Sequence, residues 1–299
     1  MRYIVLVTLA TVLLTCTHRE DKQPPLIRGQ NDEGSSTPPE RDSWLSRYDL
    51  SDKSPTQFKL PKRLSEASGL SMSDDGRLFS HDDENGVVYQ VDYTSGKIVK
   101  RFFLGTFTIT GDFEGMATKG RMFYLVISNG DILEFREGKD EERVSYHVYK
   151  TLLTQANDVE GLEYDKSTDC LLLLCKGYPG KGLSGYKGVY AFSLKTKALE
   201  QKPRLLISLK AVKKVAHKGE FNPSGVAIHP VSRTYFIISA DGHSIVEMTT
   251  DGVILGQQEI PREVNSQPEG ITFAPDNTMI ICNDGQGKTG TLTLYPLKK

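Results

Sequence analysis

The most restrictive feature of the sequence is a segment that recurs five times, each copy built around a glycine. The copies read SEASGLSMS around Gly69, GDFEGMATK around Gly115, NDVEGLEYD around Gly161, EFNPSGVAIHP around Gly225 and SQPEGITFAP around Gly270. The glycines are 46, 46, 64 and 45 residues apart. A period of this length is typical of structural repeats, so each copy is expected to begin one supersecondary unit. The longer spacing is a regular unit with an insertion of about 18 residues between Gly177 and Phe221.

Each unit continues with short apolar strands separated by turn residues. After the glycine strand comes a turn such as SDDG or PDNT, then a second strand such as YLVISNG or YFIISADG, and a third such as VVYQVDY or TLTLYPL. Short strands at such intervals, with Gly, Asp and Asn between them, indicate antiparallel sheets. The repeat therefore predicts an all-β protein, a β-propeller of four-stranded blades arranged around an axis.

The number of units sets the number of blades. Five copies predict five four-stranded blades. The last unit, GTLTLYPLKK, ends after its third strand, and TQFKLP ahead of the first unit supplies the missing one, so an N-terminal strand closes the ring. Six blades are the alternative, if the stretch from Trp44 to Pro61 and the insertion contribute further strands.

The N-terminus has the form of an export signal. MRYIVLVTLATVLLTC combines a positive start with an apolar run from Ile4 to Leu14, which is short for a bilayer span and typical of a secretory signal. Its end resembles the bacterial lipobox, in which Cys16 becomes the lipidated first residue, although Thr15 stands where Gly, Ala or Ser is usual. We expect residues 1–16 to be a lipoprotein signal peptide; an ordinary secretory signal and a retained anchor are the alternatives.

The segment that follows is polar, with paired prolines and no apolar period, so residues 17–44 are expected to be a flexible tether and 45–299 the propeller. The protein would then be anchored in the cell envelope by lipid alone, at the outer membrane or periplasmic face. The formal net charge of −1 shows no basic excess, which disfavours a nucleic-acid partner. Cys170, Cys175 and Cys282 lie in apolar strands and are expected to be buried free thiols, with a Cys175–Cys282 bridge left open.

Two polar columns appear when the units are aligned on glycine. The column three residues before it contains Glu66, Asp112, Asp158, Asn222 and Gln267, and the column one residue before it contains Ser68, Glu114, Glu160, Ser224 and Glu269. Positions two apart on a strand share a side, so both columns are expected to face the same way. Carboxylates that converge on an axis repel and raise one another's pKa unless a positive charge lies among them.

A hard cation is the economical source of that charge. Ca²⁺ takes six to eight oxygen ligands in flexible geometry, and no His and Cys cluster is present to favour a softer metal. The sequence predicts a calcium site with the ligands Glu114, Glu160 and Glu269 and the weaker additions Asn129 and Asn283.

Other interpretations of these polar residues stay open. Residues such as Ser68 and Ser224 can simply bond the backbone at the turns between blades. Lys176 can pair with Glu160 as an internal counter-ion, which would weaken the metal interpretation. His81, in SHDDEN, is a candidate general base or second ion site, or else a solvated residue beside a turn.

The stretches GDFEGMATKGRMFYLVISNGDILEF, NDVEGLEYD and QPEGITFAPDNTMIICNDG resemble the SdiA-regulated family of exported bacterial proteins over residues 57–297. The resemblance implies a five-bladed propeller, distantly related to NHL repeats, with a calcium site. By that likeness Glu114, Glu160 and Glu269 take the positions of the family's inner-strand acids, and Ser224 takes the position where the acid is replaced. The glycine-rich insertion after Lys176 is longer than the family pattern.

Two functions fit this reading. The first is a calcium-binding, envelope-tethered module that binds a small molecule, a glycan or a protein. The second is a calcium-dependent hydrolase, similar to lactonases, esterases or phytases, in which the ion polarises an ester or phosphate oxygen and His81 or a spare carboxylate acts as base. The first is favoured because no nucleophile and no second histidine accompany the acids.

Overall fold

The computed structural model describes residues 42–212 and 220–298, and the signal peptide with Cys16 and most of the expected tether lie outside that range. The described chain is almost entirely β-structure. Its helical parts are two 3₁₀ turns, Leu45–Arg47 and Lys62–Leu64, and one short helix, α1, at Leu209–Val212. No helix in these residues is long and apolar enough to span a membrane.

The strands form five sheets, numbered here as blades 1 to 5 in the order of the glycine repeat. Strand β1 (Thr56–Lys59) precedes the first repeat. Blade 1 contains β2 (Ala67–Met72), β3 (Leu78–Asp82), β4 (Val87–Asp92) and β5 (Lys97–Leu104), and blade 2 contains β6 (Phe113–Lys119), β7 (Met122–Ile127), β8 (Ile132–Arg136) and β10 (Tyr146–Tyr149). The short strand β9 (Arg143–Val144) pairs parallel with β5.

Blade 3 contains β11 (Val159–Asp165), β12 (Cys170–Cys175), β13 (Tyr186–Ser193), β14 (Ala198–Leu199) and β15 (Leu205–Ser208). Blade 4 contains β16 (Pro223–Ile228), β17 (Tyr235–Ser239), β18 (Ser244–Met248) and β19 (Ile254–Glu259), and blade 5 contains β20 (Pro268–Phe273), β21 (Met279–Asn283) and β22 (Thr291–Tyr295).

The ring closes as the sequence predicts. Strand β1 pairs antiparallel with β22, with Phe58 opposite Leu292, so the N-terminal strand is the fourth strand of blade 5. The inner strands β2, β6, β11, β16 and β20 pack against one another in cyclic order. The prediction of a five-bladed β-propeller is confirmed, and the six-bladed alternative is wrong. Part of the insertion forms β14 and β15, which pair with β13 and enlarge blade 3 instead of adding a blade.

The core consists of apolar layers between neighbouring blades. In the described residues each pair of adjacent blades shares one cluster of buried side chains. Between blades 1 and 2 the cluster is aromatic, and Phe79 and Phe123 meet edge to face with ring centroids 4.8 Å apart. Between blades 4 and 5 it includes Leu45, Tyr48 and Leu50, so the segment before β1 is part of the folded domain. Cys170, Cys175 and Cys282 are buried free thiols, as expected.

Every inner strand carries the same irregularity at its start. In all five blades the pairing register shifts at the residue just before the repeat glycine. Such a bulge adds one residue to a strand and re-aims its side chain. The fivefold bulge therefore places Ser68, Glu114, Glu160, Ser224 and Glu269 in equivalent positions around the axis.

The repeat glycines allow the inner strands to approach backbone to backbone. A Cβ atom added at Gly115 would lie 2.6 Å from the backbone nitrogen of Leu162, and one added at Gly270 would lie 2.9 Å from the backbone nitrogen of Leu70. No side chain fits at these distances, so glycine is needed for close approach.

The two ends of the ring carry different loops. The inner strands begin at one end, which we call the entry end, and the turns between second and third strands lie there too. The described chain starts at the opposite end. Tyr48 bridges to Leu297 and donates its hydroxyl hydrogen to the carbonyl of Asn277, which lies in the turn between β20 and β21.

Candidate functional site

A cavity of about 190 Å³ opens on the axis at the entry end. It is lined by Glu66, Ala67, Ser68, Asp83, Glu114, Glu160, Lys176, Glu269 and Asp284. Beneath it the axis narrows to about 10 Å³ between the five inner strands, which is room for about one water molecule. The lining contains six carboxyl groups and one ammonium group, so acidic side chains dominate it.

The bulged positions bring the three predicted glutamates together. Glu114, Glu160 and Glu269 come from blades 2, 3 and 5, and all three line the cavity. The serines in the same column bond to neighbouring blades. Ser224 donates to the carbonyl of Pro268 at 2.6 Å, and Ser68 donates to Glu114 Oε2 at 3.3 Å.

Burial and mutual repulsion make these acids weak. Burial, then the charge of Glu160, raises the pKa of Glu269 to about 8. Burial and the neighbouring acids Glu160, Asp112 and Glu269 raise the pKa of Glu114 well above its usual range. The pKa of Glu160 is also raised, chiefly by burial. A cation among these groups would favour their charged forms.

Lys176 is the cation that the chain itself supplies. Its Nζ lies 2.7 Å from Glu160 Oε1 and 3.9 Å from Asp158 Oδ2. Burial lowers its pKa, but attraction to Glu160 outweighs burial and raises the pKa to about 12. Lys176 is therefore charged at neutral pH, and the internal counter-ion left open by the sequence is present.

Three further carboxylates at the mouth of the cavity were not predicted as ligands. Asp83 and Asp284 follow the second strands of blades 1 and 5, and Glu66 precedes the inner strand of blade 1. Burial, then the charges of Glu66, Asp82 and Asp284, raise the pKa of Asp83 to about 6. Asp83 Oδ1 is buried without a hydrogen-bond partner among the described residues. In the sequence, Asp83 directly follows SHD and Asp284 directly follows ICN, so both acids could have been found at the ends of second strands.

The two predicted asparagines lie outside the cavity lining. Asn129 is engaged in the turn between β7 and β8, where its Nδ2 donates to Asp131 Oδ2 at 3.1 Å and its Oδ1 accepts from the backbone of Asp131 at 2.9 Å. Asn283 is buried and donates to Asn265 Oδ1 at 3.1 Å. Neither side chain lines the cavity that holds the three glutamates.

His81 also lies away from the cavity lining. It is completely buried in β3, its Nδ1–H donates to the carbonyl of Asp82 at 2.9 Å, and its Nε2 has no partner among the described residues. Burial lowers the pKa of His81 to about 4, so the ring is neutral. The expectation of a solvated histidine is wrong because the side chain packs against Gly69.

The two polar columns contribute differently to the cavity. The bulge shifts the register between them, and of the outer column only Glu66 lines the cavity. The others bond locally: Asp112 accepts from Ser128, and Gln267 donates to Glu269 Oε1 at 2.8 Å.

The type of ligand in the cavity suits a hard cation, but the spacing of the side chains does not. Its carboxylate oxygens are the donors that Ca²⁺ prefers. In the ranges that the structure describes, however, no group of three or more His, Cys, Asp or Glu side chains is placed to hold a metal ion. Binding would have to draw the glutamates inward, and Glu160 would have to exchange Lys176 for the ion.

The fold and the cavity together define a five-bladed β-propeller with an acidic axial site. A solved structure of glutaminyl cyclase from Myxococcus xanthus aligns with a TM-score of 0.51 and 13% identity, over 81% of this chain and 94% of that one. A luciferin-regenerating enzyme aligns with a TM-score of 0.51 and 11% identity, over 81% and 95%. At these identities the likeness concerns the fold alone.

Comparisons of sequence do not assign the chain to a family. No protein-family model matches the chain, and a search of curated proteins finds no match either.

Proposed function

We propose that this propeller is an exported, envelope-tethered module that binds Ca²⁺ through Glu114, Glu160 and Glu269 and presents its entry end to a ligand. The observation that carries the proposal is the ring of three bulged glutamates in a cavity with six carboxylates and one ammonium group. Bound Ca²⁺ would supply the positive charge that these groups lack. The resemblance to the SdiA-regulated family belongs to the same proposal.

The described chain starts at the end of the ring opposite the cavity. Asp42 and Ser43 begin the described chain, and Ser43 donates to Glu247 Oε2 at 2.7 Å. Glu247 lies near the end of β18, where the strand approaches the end opposite the cavity.

A second candidate is a calcium-dependent hydrolase, and Asp83 is the observation in its favour. This carboxylate lines the cavity, has a pKa raised to about 6 and has one buried oxygen without a partner. A general base works best with a pKa near the working pH. His81 is the weaker base candidate, because it does not line the cavity. Hydrolysis of lactone, aryl ester or phosphate ester substrates that is lost in Asp83→Asn would favour this candidate.

Calorimetric titration with Ca²⁺ tests the binding site. Glu269→Gln keeps the shape of the side chain and removes one ligand charge, so the affinity should fall tenfold or more, which corresponds to about 1.4 kcal/mol. Glu84→Gln is the matched control, because Glu84 is an exposed acid at the same end that does not line the cavity. Equal affinity in wild type and Glu269→Gln would contradict the assigned ligands.

A further inference from the structure

The two most exposed large apolar side chains of the described chain, Phe107 and Leu152, lie at the entry end, and so does Tyr178. Phe107 is 85% exposed, Leu152 78% and Tyr178 51%. Tyr186, at the start of β13, is partly exposed at the same end, at 38%. Single exposed apolar residues are ordinary on a surface, but a group at one end of a molecule marks a candidate interaction site.

Hydrogen bonds tie the loops of these residues to turns at the entry end. The loop of Phe107, between β5 and β6, is tied to the turn after β3 by a bond of 2.8 Å from Gly86 N to the carbonyl of Ile109. The loop of Leu152 is tied to the turn after β7 by a bond of 2.9 Å from Thr151 Oγ1 to the carbonyl of Gly130. Tyr178 N donates to the carbonyl of Ala156 at 2.7 Å. We call Phe107, Leu152 and Tyr178 the apolar rim; it extends over blades 1 to 3.

The charge beside the rim selects the kind of partner. The mouth of the cavity carries Glu66, Asp83 and Asp284, and Asp83 Oδ1 is a buried acceptor without a donor among the described residues. Lys176, with its Nζ 2.7 Å from Glu160 Oε1, shows that an ammonium group is accommodated among the ring glutamates of the same cavity. An anionic surface would be repelled, so the complementary partner is cationic.

We propose that the entry end docks a polypeptide that inserts a Lys or Arg side chain among Glu66, Asp83 and Asp284 and packs apolar side chains on the rim. A small amine could contact the acids but not the apolar rim, because the rim is spread over three blades. An extended segment of 12 residues spans about 40 Å, which is enough to contact both. The inference deepens the proposed function by naming the partner of the same cavity, and it uses the mouth acids and not the three glutamates of the ring.

Selection from a random 12-residue peptide library displayed on phage tests this surface, with the intact protein as bait. The proposal expects enriched peptides with a basic residue flanked by apolar ones. Fluorescence anisotropy of one such peptide should show binding at least tenfold weaker after Asp83→Asn, after Phe107→Ser combined with Leu152→Ser, and after replacement of its basic residue by norleucine. Val231→Ser combined with Val253→Ser is the matched control, because these side chains are 54% and 51% exposed in turns at the opposite end.

Several outcomes would overturn the docking surface: no enrichment, enriched peptides without a basic residue, or binding unchanged in the cavity and rim variants while their melting temperatures equal that of wild type. Calcium titration of Phe107→Ser combined with Leu152→Ser keeps the two proposals distinct. Unchanged calcium affinity with lost peptide binding supports the docking surface. Peptide binding without any calcium binding would sink the proposed function and leave the docking surface standing.

Discussion

Lys176 and Glu160 form the contact on which the behaviour of the cavity depends. The ammonium group of Lys176 pairs with the carboxylate of Glu160, which a metal ion would need as a ligand. Lys176→Met should therefore tighten Ca²⁺ binding by about tenfold, or about 1.4 kcal/mol. Without calcium the same variant should be less stable than wild type, because Glu160 is buried and would lose the positive charge that compensates it.

Lys150→Met is the control for that prediction. Lys150 pairs with Asp131, but its side chain is 77% exposed and lies outside the cavity lining. Its removal should change calcium affinity and stability little. An affinity for Ca²⁺ in Lys176→Met no tighter than in wild type would show that the lysine does not compete with the ion.

The raised pKa of Glu269 predicts an unusual dependence of stability on pH. Its folded-state pKa of about 8 lies above the ordinary value of 4.5, so the folded protein holds more protons than the unfolded chain between these values. Stability without metal should therefore decrease as pH rises from about 5 to 8. Thermal melts in chelator across this range measure the effect, and Glu269→Gln should reduce it, while Glu114, whose pKa is also raised, retains part of it. A melting temperature that rises over this interval in wild type and variant alike would contradict the assignment.

At the level of single residues, the sequence predicted the three glutamates because they share one column of a repeat. It did not predict that Asn129 and Asn283 would lie outside the cavity. Asn129 is hydrogen-bonded to Asp131 and Asn283 to Asn265, and the repeat alignment treats both partners as loop residues. It also missed Asp83, whose place in the cavity depends on how the turn after β3 folds.

At the level of elements, the inner strands depend on glycine at their points of closest approach. Gly115→Ala would place a methyl group 2.6 Å from the backbone of Leu162, which cannot move without shifting blade 3. Overpacking of this kind costs about 1–3 kcal/mol. Gly188→Ala is the control, because its nearest neighbour would be 3.4 Å away. Chemical denaturation measures both, and equal stability of the two variants would contradict backbone crowding at the axis.

The regular strands were predictable from apolar runs at a fixed period, and so was the closing strand β1. The bulge before each glycine was not, because it depends on pairing between strands and leaves no change in residue type. The short strands β9, β14 and β15 carry too few residues to show a pattern, and each forms only because a neighbouring edge strand is available to pair with.

At the level of the whole molecule, the propeller separates its two ends. The described chain starts and finishes at the end opposite the cavity, where Lys298 N donates to the carbonyl of Arg47 at 2.8 Å. The acidic cavity and the apolar rim occupy the entry end.

The central claim is that the ring of Glu114, Glu160 and Glu269 binds calcium, and metal analysis with matched thermal melts tests it most directly. Protein purified without chelator should contain about one calcium per chain, and its melting temperature should rise with calcium concentration, as it must for a ligand that binds only the folded state. Glu269→Gln should lose most of that rise. Protein without calcium, melting at the same temperature in calcium and in chelator, would contradict the claim.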